Sequence, residues 1–201
     1  MSPKISAVIL AGGRCQRFFP VEKCIALFKG KPLILHVVER LRSVASEIVV
    51  VARDEEQGAA LKCEIPHKIT LTFDRIQNFG PLAGILAGLQ ASSNPFSIVV
   101  GCDMPFLSEE ALKFLAEQRS NYDAVVPLWE DGKIEPLHAI YRKKAMLKAT
   151  KEAIRKGEHK ISCAISSLRS VNFVPVAKIR KFDSQLRTFT NINTPEDLLL
   201  L

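Results

Sequence analysis

The sequence predicts an α/β protein with a Rossmann-like fold, in which helices cover both faces of a mostly parallel central sheet in three layers. Two observations support this class. Strand-like apolar runs alternate with helical patterns along roughly the first 120 of 201 residues. These runs are continuously apolar, as is typical of strands that are buried on both faces. A parallel sheet between two helical layers accounts for both observations.

In the first part of the chain, strands and helices are predicted in alternation. The first helix shows a helical apolar period at Ile34, Val37 and Leu41. The third opens with Gly80-Pro81, and the fourth follows Ser108, a good N-cap residue. The predicted elements are strand Lys4–Leu10, helix Pro32–Ala45, strand Glu47–Ala52, helix Glu55–Cys63, strand Lys68–Phe73, a helix from Gly80, strand Phe96–Cys102, and a helix from Ser108 to about Arg119.

The last third of the chain is less regular. A capping-box-like pair, Thr194 and Asp197, predicts a final helix that begins at Pro195. We find no linker, repeat or low-complexity segment, so we expect residues 1–201 to form a single domain with an elaborated C-terminal third. The other elements predicted there are strand Asp123–Pro127, a hairpin around Asp131-Gly132, a basic helix within Arg142–Lys160, and strand Val171–Pro175.

The composition is that of an ordinary globular protein, with 47% hydrophobic and 24% charged residues. No apolar run approaches the roughly 18–20 residues that cross a membrane. The N-terminus leads into a strand without a signal-peptide pattern, so we expect a cytoplasmic protein without a membrane partner. Five scattered cysteines and four scattered histidines predict neither a disulfide framework nor a zinc site.

The net charge of +7 favours anionic partners without identifying them. In a helix, Lys144, Lys148, Lys151 and Arg155 would line one face, which we interpret as a solvated outer surface in preference to a docking surface. A nucleic-acid binder concentrates such charge beside exposed aromatic residues. Aromatic residues make up only 7% of this chain, and most phenylalanines lie among apolar neighbours, so we expect no nucleic-acid partner.

The loop after the first strand contains two glycines and two cations. Gly12 and Gly13 would let backbone N–H groups approach an anion, because no Cβ intervenes. Arg17 could fork onto phosphate oxygens, and Lys23 would add a point charge. The loop matches neither the Walker pattern nor the dinucleotide fingerprint. A plain turn remains an alternative, although it does not explain the cations.

Two more segments follow predicted strands, and ligands of parallel sheets bind beyond the carboxyl ends of strands. Asp103, in CDMP, suits one direct contact to Mg²⁺, with phosphates and water completing the coordination, or it is simply a turn residue. Asp74 and the loop leading to Gly80 could accept hydrogen bonds from the N–H groups of a guanine base. The second indication is weak by itself, since Asp before a loop is common.

These segments occur in an order that resembles a known enzyme family. LAGG with Arg17 and Lys23, FGPLAGILAGL, CDMPFL, EPLHAIY and FTNINTPEDL follow one another from about Ile5 to Leu199. The combination is similar to the molybdenum cofactor guanylyltransferases, within the nucleoside-diphospho-sugar-transferase-like nucleotidyltransferases. The first motif alone marks only that superfamily, whereas the whole set is much more specific.

The resemblance implies a Rossmann-like nucleotidyltransferase that uses Mg²⁺ and converts GTP and molybdopterin, as its molybdenum form, into the guanine dinucleotide cofactor and pyrophosphate. Proteins that deliver or accept the cofactor are further implied partners. By matched position, Leu10, Ala11 and Gly12 would touch the nucleotide, Lys23 its phosphates and Asp74 the nucleoside. Asp103 would bind both Mg²⁺ and nucleotide, and Asn191 and Asn193 would lie on the pterin side.

Two departures from the family pattern concern the nucleotide site. Phe18-Phe19-Pro20 stands where the family usually has Met-Gly, which leaves the path of the phosphate loop open. At the end of the second strand, relatives often carry Asn, whereas this chain has Val51 and its apolar neighbours. A nucleoside contact would then be missing or supplied by the backbone.

The chemistry we expect is in-line attack by the pterin's terminal phosphate on the α-phosphorus of GTP. A phosphate is already an anionic nucleophile, so no general base is needed, and Arg17, Lys23 and Asp103 would act by positioning and charge. Two alternatives are a transferase of the same fold that uses CTP and one that guanylylates cobinamide phosphate. A third, of another class, is a non-catalytic nucleotide- or nucleic-acid-binding module.

Overall fold

A seven-stranded sheet forms the centre of the computed structural model, which describes residues 4–13, 16–18, 21–76 and 79–201. A separate two-stranded ribbon, β2 with β3, lies apart from it. The strands are β1 Ser6–Leu10, β2 Leu27–Phe28, β3 Lys31–Pro32, β4 Glu47–Ala52, β5 Thr70–Phe73, β6 Phe96–Gly101, β7 Ala124–Leu128, β8 His138–Arg142 and β9 Val171–Pro175.

The large sheet has the order β5-β4-β1-β6-β8-β7-β9. β1 pairs in parallel with β4 on one side and with β6 on the other. Within the described residues, only β8 runs opposite to the rest, because it pairs antiparallel with both β6 and β7. The predicted mostly parallel sheet is therefore confirmed. The predicted turn at Asp131-Gly132 joins β7 to β8, with Gly132 at φ 84°.

The helices flank this sheet. The N-cap predicted at Ser108 is present, since Ser108 accepts a hydrogen bond from the Ala111 N–H. Asp54 caps α2 in the same way by accepting a hydrogen bond from the Gln57 N–H. The helices are α1 Leu33–Leu41, α2 Glu55–Glu64, α3 Pro81–Ala91, α4 Glu109–Glu117, α5 Lys143–Arg155, α6 Ile161–Ser166, α7 Val176–Ile179 and α8 Asp197–Leu200. Among these helices, none is long and apolar enough to reach across a bilayer.

Two helix ends differ from the prediction. α1 stops at Leu41 and not at Ala45, because the N–H groups of both Val44 and Ala45 turn back onto the Leu41 carbonyl before the chain enters β4. At the C-terminus, the predicted capping pair is present, with Thr194 and Asp197 exchanging hydrogen bonds. α8 itself begins only at Asp197, since the preceding turn closes with tighter three-residue hydrogen bonds.

Both faces of the sheet are buried, which explains the continuous apolar strands. Along β1, Ala7 and Ile9 belong to one core layer and Val8 belongs to the other. The first layer contains residues of α1 and α4, and the second contains residues of α3, α5 and α6. Successive side chains of a strand point to opposite faces, so a strand between two helical layers needs apolar residues at every position.

The basic face of α5 is exposed, as predicted. Lys144, Lys148 and Lys151 are solvent-exposed, whereas Met146 and Ala149 on the opposite side are buried. The last residue of the helix, Arg155, is exposed and forms an ion pair with Glu152 on the same surface. The helix is therefore amphipathic, and its cations cover the outer side of the α3–α5–α6 layer.

His138, at the start of β8, is a fully buried polar residue. Its Nε2 lies 3.3 Å from Thr188 Oγ1, and its ring meets Phe189 edge-on at 4.7 Å between centroids. Burial lowers the pKa of His138 to about 3, and the nearby Asp183 offsets only part of this effect. The imidazole is therefore neutral in the folded protein throughout the mildly acidic range.

This buried imidazole predicts a pH-dependent stability. Between about pH 6.5 and pH 3 the unfolded chain binds a proton on His138 that the folded chain does not, so the free energy of unfolding falls as the pH falls. The slope from this group approaches about 1.4 kcal/mol per pH unit. Urea unfolding of wild type and His138→Gln at pH 5 and pH 7.5 measures it. The prediction would be contradicted if the free energy of unfolding fell between pH 7.5 and pH 5 by no more in wild type than in the variant.

Candidate active site

The candidate site lies where the carboxyl ends of β1 and β6 meet. The two ends are adjacent, since the Cys102 N–H donates to the Leu10 carbonyl at 3.1 Å. From β1 the sheet extends through β4 to β5 on one side. From β6 it extends through β8 and β7 to β9 on the other side. Such a reversal of strand order opens a crevice above the sheet, where open α/β proteins bind their ligands.

The glycine pair after β1 has two different roles. A Cβ on Gly12 would lie 3.2 Å from the Arg53 nitrogen, so Gly12 allows the β1 loop to pass close to the end of β4. A Cβ on Gly13 would meet nothing within 4 Å, and Gly13 is exposed. The loop is held to β4 by the Ala11 N–H, which donates to the Val51 carbonyl at 2.9 Å. Of the two glycines, Gly13 is therefore the exposed one, whose backbone could meet an anion.

Lys23 and Asp103, two of the predicted functional residues, contact each other. Lys23 Nζ lies 2.6 Å from Asp103 Oδ2 and donates a second hydrogen bond to Asn193 Oδ1 at 3.2 Å. The side chains of Lys23 and Asp103 are only 13% and 23% exposed. Lys23 is therefore held in a mostly buried ion pair and is not a freely solvated cation at a loop end.

The loop that carries Asp103 is joined to the C-terminal segment. The Ile192 N–H donates to the Asp103 carbonyl at 2.9 Å, next to Asn193. A Cβ on Gly101 would lie 2.4 Å from Asp103 Oδ1, so glycine at this position leaves room for the carboxylate. Of the two asparagines assigned to the pterin side, Asn193 thus lies beside Lys23 and Asp103, while Asn191 is exposed two residues earlier in the same segment.

A partly buried polar network next to Lys23 was not anticipated from the sequence. Gln57, which is 1% exposed, donates to the Ala11 carbonyl at 3.0 Å and to Glu22 Oε2 at 2.9 Å. Arg53 pairs with Glu22 at 2.7 Å and with Asp54 at 2.7 Å. The hydrogen bond with Glu22 is the main reason that the pKa of Arg53 is raised. The network fixes the residue before Lys23 to the β1 loop.

One signal for this network was present in the sequence. Asp54 and Gln57 have the spacing of a capping box, in which the side chain at the fourth position reaches back to the backbone before the helix. Gln57 Oε1 does accept a hydrogen bond from the Arg53 N–H at 2.8 Å. The pattern could have predicted this contact but not the bonds to Ala11 and Glu22, which come from other segments.

Arg17 and Phe18, the described part of the unusual motif, differ in their exposure. Arg17 is exposed on the short 3-10 turn Gln16–Phe18. Phe18 is 6% exposed and packs in a small cluster with Phe28 and Ile192. Phe19 and Pro20 of the departing motif lie outside the described residues. Phe18 therefore fills an apolar cluster that joins the phosphate loop to the C-terminal segment.

The predicted base-contacting residues lie at the far side of the crevice. Asp74 directly follows β5, and its Oδ1 accepts a hydrogen bond from the Ile76 N–H at 3.0 Å. Partial burial raises the pKa of Asp74. Gly80 has φ 54° and precedes α3, a left-handed conformation that favours glycine. Asn78 of this motif lies outside the described residues.

At the end of β4, where relatives often carry Asn, the backbone carbonyls are bonded within the protein. The carbonyls of Val51 and Ala52 accept hydrogen bonds from the N–H groups of Ala11 and Asp74, respectively. The backbone at this point therefore connects the ends of β1, β4 and β5. Both carbonyls are engaged within the protein, and neither is a free acceptor facing the crevice.

Asp103 offers a single carboxylate to a metal ion. Within the described ranges, no cluster of three or more His, Cys, Asp or Glu residues could hold a metal by protein ligands alone. Mg²⁺ is commonly bound by one or two carboxylates together with substrate phosphates and water. Asp103 Oδ2 is paired with Lys23, so Oδ1 is the carboxylate oxygen that fits such a one-carboxylate arrangement.

The fold and this geometry agree with a comparison of the chain with known protein families. A model of the MobA-like NTP transferase domain matches residues 7–171. The chain belongs to the MobA-like NTP transferase family. The match to this nucleotidyltransferase family contains the β1 loop, Lys23 and Asp103, and it ends before Asn191 and Asn193.

Individual members of the family are similar over nearly the whole chain. A probable molybdenum cofactor guanylyltransferase of Methanosarcina mazei is 41% identical over 197 residues, which cover 96% of this chain and 88% of the relative. The crystal structure of molybdopterin-guanine dinucleotide biosynthesis protein A from Archaeoglobus fulgidus is 34% identical, with a TM-score of 0.81 and coverage of 97% and 95%.

A more distant structure shares the fold alone. The 4-diphosphocytidyl-2C-methyl-D-erythritol synthase of Anaerococcus prevotii superposes with a TM-score of 0.71 at 15% identity, covering 99% of this chain and 94% of its own. The seven-stranded, mostly parallel sheet with flanking helices is therefore the nucleotidyltransferase fold. At this identity the likeness says nothing about the substrates of this chain.

Proposed function

We propose that this NTP transferase is a molybdenum cofactor guanylyltransferase, which transfers GMP from GTP to molybdopterin in its molybdenum form and releases pyrophosphate. The observation that carries the proposal is the convergence of Lys23, Asp103 and Asn193 above the junction of β1 and β6. The full-length similarity to relatives that are named as guanylyltransferases supports it.

In the proposed reaction, an oxygen of the pterin's terminal phosphate forms a bond to the α-phosphorus of GTP. The bond from that phosphorus to the oxygen bridging toward the β-phosphate breaks in line, and pyrophosphate leaves. The nucleophile is an anion at neutral pH, so the site requires no general base. Catalysis then consists of positioning and of charge stabilisation.

Lys23 and Arg17 supply the positive charge in this scheme. Lys23 Nζ already has two oxygen partners, Asp103 and Asn193, so a bound triphosphate would compete for the ammonium group. Arg17 is exposed on the same loop and can reach outward for the β- and γ-phosphates. Gly13 would offer its backbone N–H to the same phosphates.

Asp103 would hold Mg²⁺ by one carboxylate oxygen, and the ion would supply neutralisation of phosphate charge. The network of Gln57, Glu22 and Arg53 would keep the β1 loop and Lys23 in register with this carboxylate. Leu10, Ala11 and Gly12 would line the nucleotide, while Asp74 and the backbone near Gly80 would accept hydrogen bonds from the guanine edge.

The location and further partners of the protein belong to the same proposal. We place it in the cytoplasm, where GTP and the pterin are available to it. The four described cysteines, Cys24, Cys63, Cys102 and Cys163, are free thiols, which suits a reducing compartment. Proteins that deliver the pterin or accept the finished cofactor would meet the open side of the crevice.

The direct test is a transfer assay with purified protein, molybdopterin, Mg²⁺ and either GTP or CTP. We expect pyrophosphate release with GTP, a guanine dinucleotide of the pterin as the product by mass, and a much slower reaction with CTP. A preference for CTP would overturn the guanylyl assignment. Turnover only with cobinamide phosphate would show that this compound, and not molybdopterin, is the acceptor. Duplex DNA that competes with GTP would favour the non-catalytic alternative.

A further inference from the structure

A cavity of about 560 Å³ lies outside the cluster described above. Leu128, the last residue of β7, and Pro175, the last residue of β9, form part of its wall. β7 and β9 run in the same direction as β1 and β6, so this cavity opens at the same edge of the sheet as the candidate active site. Its size is within the range of sites for small molecules.

The distance from the cavity to Asp103 follows from the spacing of the strands. One strand, β8, separates β6 from β7, and neighbouring strands are about 4.7–4.9 Å apart, so the cavity centre is roughly 10–15 Å from the end of β6. The C-terminal segment connects the two places. Phe189 packs edge-on against Trp129 in the cavity wall at 5.4 Å between centroids, and three residues later Ile192 bonds to Asp103.

The lining suits a flat heteroaromatic ring with N–H donors. Trp129 is half-buried, and its indole Nε1 donates to Glu135 Oε1 at 2.7 Å, which fixes the orientation of the ring. Glu130 and Asp131 bring carboxylates to the rim, and Arg180 brings a guanidinium group. An aromatic face, hydrogen-bond acceptors and a cation match the ring, the pyrimidine N–H groups and the carbonyl oxygen of a pterin.

We propose that this cavity binds the pterin ring system of the acceptor, with Trp129 beneath the ring, Glu130 or Asp131 on its N–H edge and Arg180 on its carbonyl side. The inference rests on the proposed function for the identity of the acceptor. It adds a second part to the site, which the motifs did not include. The phosphate of the acceptor would then point along the edge of the sheet past Asn193 toward Asp103 and Lys23.

The chain contains a single tryptophan, Trp129, so tryptophan fluorescence reports on ligands at and near this cavity, and the Arg180 variant identifies binding within it. Wild-type protein without GTP or Mg²⁺ is titrated with molybdopterin. We expect saturable quenching of the tryptophan emission, because the pterin lies against the indole, and no comparable quenching by GTP. Arg180→Ala should raise the dissociation constant for the pterin about tenfold. Lys178→Ala, which removes an exposed cation of α7, the short helix that ends just before Arg180, should leave it unchanged.

Transfer kinetics provide the second readout. Trp129→Leu and Arg180→Ala should raise the KM for molybdopterin about tenfold or more and leave the KM for GTP unchanged. Phe173→Leu removes an aromatic residue of β9, 43% exposed, from a separate cavity and serves as the control. Arg180 is exposed, so its variant keeps the test valid even if Trp129→Leu unfolds the chain.

The outcomes separate this inference from the proposed function. If wild type transfers GMP to molybdopterin but Arg180→Ala keeps the wild-type KM and dissociation constant, the cavity assignment is overturned while the function stands. Absence of quenching at concentrations that saturate transfer would also overturn it. The reverse result is also informative. If the pterin quenches the Trp129 emission saturably and Arg180→Ala weakens pterin binding, but no transfer occurs with GTP, the cavity assignment stands and the guanylyl function is wrong.

Discussion

Asp103→Asn should lower kcat for GMP transfer by at least about 100-fold while the protein stays folded. Asparagine keeps the shape of the side chain but removes the charge that would hold Mg²⁺ and position the nucleotide. The amide oxygen can still accept the hydrogen bond from Lys23, so the loop that joins Asp103 to Ile192 should persist. The measurement is pyrophosphate release at saturating GTP and pterin over a range of Mg²⁺ concentrations.

Glu117→Gln is a matched control for this variant, because it makes the same chemical change on an exposed residue at the end of α4. It should have wild-type turnover. Urea unfolding of both variants shows whether any lost activity reflects unfolding. If Asp103→Asn retained wild-type turnover and the wild-type Mg²⁺ requirement, the metal would be held by other residues and the assignment of Asp103 would be wrong.

Lys23→Ala should lower kcat/KM for GTP by about 100-fold, the second largest effect that we expect. The ammonium group would stabilise the charge that builds up on the departing pyrophosphate, and no other described lysine contacts Asp103 in the hydrogen bonds and ion pairs of the structure. Lys23→Met tests the same charge while keeping much of the apolar stem. The two variants should have similar kinetic defects.

The stability of these variants separates the two possible roles of Lys23. Its ion pair with Asp103 is mostly buried, so removal of the charge leaves the Asp103 carboxylate without this partner, and we expect the free energy of unfolding to fall by about 1–3 kcal/mol. Lys62→Ala, an exposed lysine on α2, is the control. If Lys23→Met unfolded the chain without a specific kinetic defect, Lys23 would be a structural residue and its catalytic assignment would fail.

Elements with strong local patterns were predicted closely. β4 at Glu47–Ala52 and β9 at Val171–Pro175 have the predicted bounds, and α4 follows its predicted N-cap Ser108. Apolar runs and caps depend on residues within a few positions of each other, so the sequence shows them directly. The end of α1 was less clear, because the turn at Val44 forms when Ser46 bonds to Ile5 in another part of the chain.

The position of β8 could not be predicted from local pattern. A hairpin at Asp131-Gly132 predicts that β8 pairs with β7, and it does. The pattern does not say that β8 also pairs with β6, and so enters the sheet as its antiparallel strand between β6 and β7. This placement separates the ends of β6 and β7 and thereby creates the distance between Asp103 and the cavity at Trp129.

By itself, the sequence determined the α/β class, the order of most elements although not the β2–β3 ribbon, α6 or α7, and the presence of charged residues after β1 and β6. The tertiary structure alone decided that Lys23 meets Asp103 and Asn193, which are 80 and 170 residues away along the chain. It also decided that Gln57 supports the β1 loop and that Trp129 and Arg180 line one cavity. Helix and strand patterns arise from interactions between near neighbours, whereas the site depends on the order in which the strands pair.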